Sequence, residues 1–178
     1  MELKRKTVVI IAAAGTGKRM GSSVPKQYLK IGGEPILLKS IRAFCDNKNI
    51  DQILVVTNKE YLAACRKMAD AYGLKKVRAV MEGGAERQDS VYRAILEAES
   101  LCPEAELILV HDGARPFVRQ ETIDAVIEAA AESGAAVACV PVKDSIRQEQ
   151  NGKSRNLRRS ELYAVQTPQA VSYTHLFL

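Results

Sequence analysis

Residues 7–20 read TVVIIAAAGTGKRM, an apolar run that leads directly into a glycine-rich turn. The run does not alternate with polar residues, and its length and β-branched composition predict a strand, Thr7–Ala12, that is buried on both faces. The basic residues before it imitate a secretory signal, but the run passes into glycines rather than into a small-residue cleavage site. It is also far shorter than the roughly 20 apolar residues that cross a bilayer. We therefore interpret it as the first strand of a cytoplasmic protein.

Apolar strands and amphipathic helices alternate along the chain after this run. Further strands are predicted at Gln52–Thr57, Val77–Glu82, Leu107–His111 and Ala135–Pro141. Helices are predicted between them at Ile36–Cys45, Glu60–Tyr72, Arg87–Leu101 and Glu121–Ser133. Continuous apolar strands separated by helices are typical of an α/β fold that has a mostly parallel sheet with helices on both faces.

The character of the chain changes after Pro141. Residues 142–163 are mostly charged and polar, and Asn151-Gly152 is a pair typical of a two-residue hairpin turn. We interpret this segment as an extended β-arm. A chain of 178 residues is expected to form one domain, here residues 1–170 including the arm, and residues 171–178 (VSYTHLFL) are expected to form an atypical tail.

Composition restricts the class of ligand. The formal charge of +5 suits an anionic ligand such as a nucleotide. Nucleic acid is not predicted as a partner, because the chain has no tryptophan and only 5% aromatic residues to stack on bases. No segment is long and apolar enough to predict a membrane partner. The four cysteines form no C-x-x-C pair, so we expect free thiols in a reducing compartment.

The first strand ends in a loop suited to phosphate. In an open α/β sheet, ligands bind outside the carboxyl ends of the strands. The small residues and glycines of residues 12–20 let backbone N–H groups approach a phosphate, and Lys18 and Arg19 add positive charge. A P-loop is excluded because Ala12 replaces its first glycine, and a dinucleotide fingerprint is excluded because Met20 replaces its third.

Further candidate residues lie beside this loop and at the ends of other strands. Lys26 follows the loop closely and is expected to reach the same phosphates. The pair Gly83-Gly84 leads into a helix N-terminus and offers free N–H donors. Asp112 and Arg115 straddle a tight turn, where the acid could hold a metal or a hydroxyl and the arginine a phosphate. His111 points to the opposite face of the strand from Asp112, so we interpret it as structural.

Six motifs occur in an order found together in one family: AAAGTGKRM, PKQY, GGAERQDSV, HDGARPF, PVKDS and QTPQA. From about Thr7 to Ala170 the chain resembles the 2-C-methyl-D-erythritol 4-phosphate cytidylyltransferases of isoprenoid synthesis. The resemblance implies a Rossmann-like nucleotidyltransferase fold and a homodimer in which the arm embraces the partner. It also implies Mg²⁺-dependent attack of the acceptor phosphate on the α-phosphate of CTP, with release of pyrophosphate.

The resemblance also implies roles for the matching residues. The triphosphate would be cradled by Ala13, Ala14, Gly15, Thr16, Gly17 and Lys18. The catalytic cations would be Arg19, Lys26 and Arg159, the last reaching from the arm, and the cytosine would be bound by Gly84 and Ser90. The acceptor would be held by Asp112, Gly113, Arg115, Ser145 and Thr167. Mg²⁺ would be held mainly by the CTP phosphates, with Asp112 as a candidate ligand.

Some positions depart from the family. Ala12 stands where proline is frequent, Ala85 where some members have a polar residue, and Ser145 where threonine is usual. The final residues do not follow the family pattern, and we expect the chain to be C-terminally truncated. Two alternatives remain open: a ribitol 5-phosphate cytidylyltransferase, whose motifs overlap, and a catalytically impaired nucleotide-binding fragment.

Overall fold

The computed structural model describes residues 5–15 and 24–176, and within them strands and helices alternate as the sequence predicts. The strands are β1 (Thr7–Ala13), β2 (Lys30–Ile31), β3 (Glu34–Pro35), β4 (Gln52–Thr57), β5 (Val77–Glu82), β6 (Leu107–Asp112), β7 (Ala135–Pro141), β8 (Arg147–Gln150), β9 (Lys153–Asn156) and β10 (Tyr163–Ser172). The helices are α1 (Ile36–Cys45), α2 (Leu62–Ala71), α3 (Arg87–Leu101) and α4 (Gln120–Ser133). The helix predicted at Glu60–Tyr72 is shorter, because Lys59–Tyr61 form a 3₁₀ turn before it.

In this part of the chain, six strands form one sheet in the order β5-β4-β1-β6-β10-β7. β4, β5 and β6 run parallel to β1, and β10 runs antiparallel to both β6 and β7. The sheet is therefore mostly parallel, as predicted. The sequence did not predict β10, because Pro168 interrupts its pattern and proline cannot donate to a strand ladder. The pairing of β10 with β7 is irregular between Val165 and Gln169, around this proline.

The core lies on both faces of the sheet. Val9 and Ile11 of β1 pack with α1, α2 and α4, while Val8 and Ile10 pack with α3 on the other face. Successive side chains of a strand point to opposite faces, so a strand covered on both sides is apolar throughout. This double burial explains why the first run does not alternate, and it confirms helices on both faces.

The arm forms the hairpin that the Asn-Gly pair predicts. β8 and β9 pair antiparallel around Asn151 and Gly152, whose φ angles are 52° and 71°. Two positive φ angles are what a type I′ turn requires, and asparagine and glycine adopt them at low cost. Every residue of β8 and β9 is exposed.

The expected boundary after Ala170 falls inside β10, which continues to Ser172. The next residues, Tyr173–Leu176, form a 3₁₀ turn. Among the described residues, no helix has the length and apolarity that a membrane crossing needs.

Candidate active site

A cleft of about 660 Å³ lies where the carboxyl ends of β1, β5 and β6 meet, and we call it the main cleft. Its walls come from four segments: the loop after β1, the residues around Lys26, the start of α3, and the turn after β6. Lys26 and Arg115 also line a second cleft of about 550 Å³, the side cleft, together with Phe117, Val140 and Thr167. The structure therefore brings most of the predicted site residues to one end of the sheet.

The described part of the phosphate loop is held by Gln27. Its side-chain amide donates to the carbonyl oxygens of Ala13, at 2.5 Å, and Gly15, at 2.8 Å. Gln27 is only 4% exposed. Ala13, Ala14 and Gly15 line the main cleft. The predicted residues Thr16, Gly17, Lys18 and Arg19 lie outside the described residues.

Lys26 is exposed in the cleft, but the backbone beside it is firmly anchored. The Tyr28 ring stacks on the Tyr61 ring with centroids 3.9 Å apart. The Tyr28 hydroxyl contacts the Thr57 hydroxyl and lies 3.5 Å from the Cys65 sulfur. Burial raises the pKa of Tyr28 above its ordinary range, so the hydroxyl stays protonated and available as a donor. These contacts fix the segment that carries Lys26 against the sheet and α2.

The glycine pair after β5 allows two loops to approach closely. A Cβ on Gly83 would lie 2.6 Å from the Ala14 Cβ, and one on Gly84 would lie 2.3 Å from the Asp89 Cβ. The Gly84 N–H donates to the Ser90 hydroxyl at 3.0 Å, and that hydroxyl donates to the Glu86 carbonyl at 2.9 Å. Ser90 is thus buried and shapes the turn at the start of α3.

The turn after β6 concentrates charge. The Asp112 carboxylate accepts from Arg87 at 3.1 Å on one oxygen and from Arg115 at 3.0 Å on the other. The Asp112 N–H donates to the Thr167 hydroxyl at 3.3 Å, which brings β10 to the site. A Cβ on Gly113 would lie 3.0 Å from the Ala13 Cβ, so this turn rests directly on the end of β1.

His111 lies in the core beneath the turn after β6 and also borders the side cleft. It is fully buried, lies 4.8 Å from the Phe44 ring, and donates from Nε2 to the Arg115 carbonyl at 3.0 Å. A carbonyl can only accept, so Nε2 carries the proton, and Nδ1 has no hydrogen-bond partner among the described residues. Burial lowers the pKa of His111, which keeps the ring neutral.

Ser145 and Arg159 lie on the exposed arm, away from the residues that line the main cleft in the described part of the chain. The Arg159 guanidinium donates to the Lys143 carbonyl at 2.9 Å within the arm. The structure thus brings neither residue to the cleft of its own chain.

Sequence reasoning missed Gln27 and Arg87. Gln27 stood in the quoted PKQY motif, but its partners are backbone carbonyls, which leave no pattern in the sequence. Arg87 could have been singled out from the sequence. A cation in the first turn of a helix is unfavourable with the helix dipole, which indicates that it has a partner elsewhere.

Comparison with known proteins identifies the family. A family model described as IspD, 2-C-methyl-D-erythritol 4-phosphate cytidylyltransferase, matches residues 7–177. The chain belongs to this family. It is 43% identical over 172 residues to the 2-C-methyl-D-erythritol 4-phosphate cytidylyltransferase of Alkaliphilus metalliredigens, covering 95% of this chain and 70% of the relative. It is 41% identical over 165 residues to that of Shouchella clausii, covering 92% of this chain and 70% of the relative.

Solved structures agree with this assignment. The 4-diphosphocytidyl-2C-methyl-D-erythritol synthase of Anaerococcus prevotii superposes with a TM-score of 0.83 at 25% identity, covering 98% of this chain and 73% of that one. The 2-C-methyl-D-erythritol 4-phosphate cytidylyltransferase of Thermus thermophilus superposes with a TM-score of 0.64 at 35% identity. The match covers 94% of this chain and 70% of that one. The resemblance and the Rossmann-like fold are therefore confirmed. The chain is a cytidylyltransferase for 2-C-methyl-D-erythritol 4-phosphate, and neither alternative function is supported.

Proposed function

We propose that the two clefts divide the substrates of this cytidylyltransferase. CTP occupies the main cleft between the phosphate loop and the start of α3, and the acceptor phosphate lies toward the side cleft at the end of β6. The observation that carries the proposal is that Lys26 and Arg115 line both clefts. The α-phosphate of CTP and the attacking acceptor phosphate then meet between two cations.

The reaction needs positioning and positive charge rather than a covalent nucleophile. An oxygen of the acceptor phosphate attacks the α-phosphorus of CTP, and the bond to the departing pyrophosphate breaks. Negative charge builds on the transferring group, and preorganised cations stabilise it most where water is excluded. We assign this role to Lys26 and Arg19, and the backbone of Ala13–Lys18 cradles the triphosphate.

The base and the acceptor are assigned to opposite walls. Gly84, whose turn is shaped by Ser90, lies on the wall that would hold cytosine. We assign Asp112, Gly113, Arg115 and Thr167, which lie around the turn after β6, to the wall toward the acceptor. Arg115 suits a phosphate because a guanidinium presents planar paired donors. Asp112 suits a sugar-alcohol hydroxyl because a carboxylate is an acceptor.

Mg²⁺ fits this site as an ion shared mainly with substrate phosphates. Among the described residues, no group of three or more His, Cys, Asp or Glu side chains could hold a metal. Mg²⁺ commonly binds through one or two carboxylates plus phosphates and water, so the CTP phosphates would hold most of the ion, with Asp112 as the candidate protein ligand. When bound, the ion would neutralise phosphate charge.

The arm provides the basis for a homodimer. Beside it, β7 and β10 expose large apolar side chains: Val137 and Val140 are each 50% exposed, Tyr163 59% and Val165 57%. Exposed apolar surface of this kind is typical of a protein contact. We propose that the arm of one protomer reaches its partner and carries Ser145 and Arg159 to the partner's active site. Each of the four cysteines is a free thiol, which suits the cytoplasmic location that we propose.

The test is release of pyrophosphate with Mg²⁺ and matched substrates. CTP with 2-C-methyl-D-erythritol 4-phosphate should turn over, ATP or GTP should replace CTP poorly, and ribitol 5-phosphate should be a poor acceptor. Equal rates with all nucleotides would contradict the assignment of the base-binding wall, and equal rates with both acceptors would contradict the acceptor wall.

A further inference from the structure

The start of α3 contains a cation that the helix itself does not explain. Arg87 is the first residue of α3, where the helix dipole favours anions. The helix start is already secured by a capping box in which Glu86 and Asp89 satisfy each other's backbone N–H groups. Arg87 is 52% exposed and would gain more hydration by extending into solvent. Its guanidinium instead turns to the end of β6.

Arg87 reaches the carboxylate that the proposed function places on the acceptor wall. Its Nη2 lies 3.1 Å and its Nε 3.4 Å from Asp112 Oδ1, while Arg115 Nε lies 3.0 Å from Oδ2. The Asp112 side chain is 31% exposed and is held by one arginine on each oxygen. A carboxylate restrained at both oxygens has its plane fixed, and its remaining lone pairs point in defined directions.

We propose that Arg87 is a positioning residue for the acceptor: it orients the Asp112 carboxylate so that its free lone pairs receive the acceptor. The proposal rests on the proposed function of Asp112. Arg87 begins the helix that carries Ser90, whose hydroxyl accepts from Gly84 in the preceding turn, so the contact of Arg87 with Asp112 ties the nucleotide wall to the acceptor wall. Arg115 cannot replace it, because Arg115 is engaged by Oδ2 and by the Gln166 side chain.

The competing explanation is that the ion pair of Arg87 with Asp112 only stabilises the packing of α3 against β6, which we call a structural clip. A clip would contribute to folding stability and would leave the affinity for each substrate alone. A positioning residue changes affinity for the acceptor and leaves affinity for CTP nearly unchanged. The two explanations therefore differ in which binding constant moves.

The experiment compares Arg87→Ala and Arg87→Lys with wild type. Calorimetry gives the Kd of 2-C-methyl-D-erythritol 4-phosphate in the presence of α,β-methylene CTP and Mg²⁺, which avoids turnover, and the Kd of CTP alone. Arg66→Ala is the control, since Arg66 is an exposed arginine on α2 that donates to the Val80 carbonyl, outside both clefts. Thermal melts of all variants check folding.

For Arg87→Ala we expect the acceptor Kd to rise about three- to fivefold, the range of a partly exposed ion pair. The CTP Kd should stay within about twofold, and Arg87→Lys should recover part of the loss because its ammonium keeps the positive charge but not the planar paired donors. In an Asp112→Ala background, Arg87→Ala should change the acceptor Kd by less than about twofold, since the group it positions is gone.

Other outcomes overturn the proposal. A fall in melting temperature with both Kd values unchanged would show a structural clip, and an equal rise in both constants would show a general distortion. An Arg87→Ala effect that persists without Asp112 would show that Arg87 acts directly. If Asp112→Ala alone left the acceptor Kd unchanged, the assignment of Asp112 in the proposed function would fail, and this inference with it.

Discussion

The amide of Gln27 allows a sharp test of how the phosphate loop is held. Gln27→Glu keeps the shape of the side chain but replaces the donor that binds the Ala13 and Gly15 carbonyls with a carboxylate oxygen. Each buried carbonyl that loses its donor costs about 1–3 kcal/mol. The Gly15 contact is only part-buried, so we expect a loss of about 2–4 kcal/mol in the free energy of unfolding.

The effect should depend on pH. A carboxylate facing two carbonyl oxygens in a buried position has its pKa raised in the folded state. A raised folded-state pKa gives relative stability at low pH that is lost as pH rises through it. The free energy of unfolding of Gln27→Glu should therefore be closest to that of wild type near pH 5 and furthest below it near pH 8. Gln27→Met, which has no donor and no charge, should be destabilised about equally at both values.

Urea unfolding and steady-state kinetics with CTP measure the two consequences. Because a loop displaced by about 1 Å can cost on the order of 10²-fold in rate, kcat should fall about 10- to 100-fold. Gln120→Glu is the matched control, since Gln120 also donates its amide to a backbone carbonyl, that of Ala43 at 2.8 Å, but outside both clefts. A Gln27→Glu variant with wild-type stability, or one that loses stability without losing turnover, would refute the reasoning.

Three further predictions concern the catalytic cations, the dimer and the buried histidine. Lys26→Ala and Arg19→Ala should each lower kcat by on the order of 10²-fold, and a change in the CTP KM alone would point to ordinary binding instead. The protein should sediment as a dimer at micromolar concentration, and a monomer whose arm resists protease would contradict the arm interface. The free energy of unfolding should fall below about pH 6.5, by up to about 1.4 kcal/mol per pH unit. The reason is that His111 binds a proton in the unfolded state but stays neutral in the folded state, where burial lowers its pKa. His111→Asn should remove that step from urea unfolding, whereas Glu34, whose pKa is lowered to about 2 by Arg42 and Lys39, titrates below this window.

The sheet could be predicted from the sequence wherever burial leaves a pattern. β4, β5 and β7 match their predicted bounds, and β1 and β6 extend one residue further. β1, β4, β6 and β7 contain continuous apolar runs, whereas β5 (VRAVME) is apolar except at Arg78 and Glu82. The intervening helices have a clear hydrophobic period. β10 lacks such a signal, because proline breaks its run and its pairing is set by strands distant in sequence.

The candidate site was predictable by residue type but not by contact. Glycines and cations after strand ends pointed to Lys26, Gly84 and Asp112, because parallel strands end at one edge of the sheet. The contacts of Gln27 and Arg87 depend on where backbone carbonyls and a distant carboxylate arrive after folding. No spacing of residues in the sequence predicts these two contacts.

The glycines of the site show how the sequence determines the geometry of the clefts. In the sequence, Gly83 and Gly113 are turn residues like many others. In the structure, a side chain on Gly83 would meet Ala14, and one on Gly113 would meet Ala13, at 2.6 and 3.0 Å. The small size of these four residues therefore lets the ends of β5 and β6 approach the end of β1 closely. That close approach brings the nucleotide and acceptor walls together, so we expect an added methyl group at either glycine to push the two walls apart.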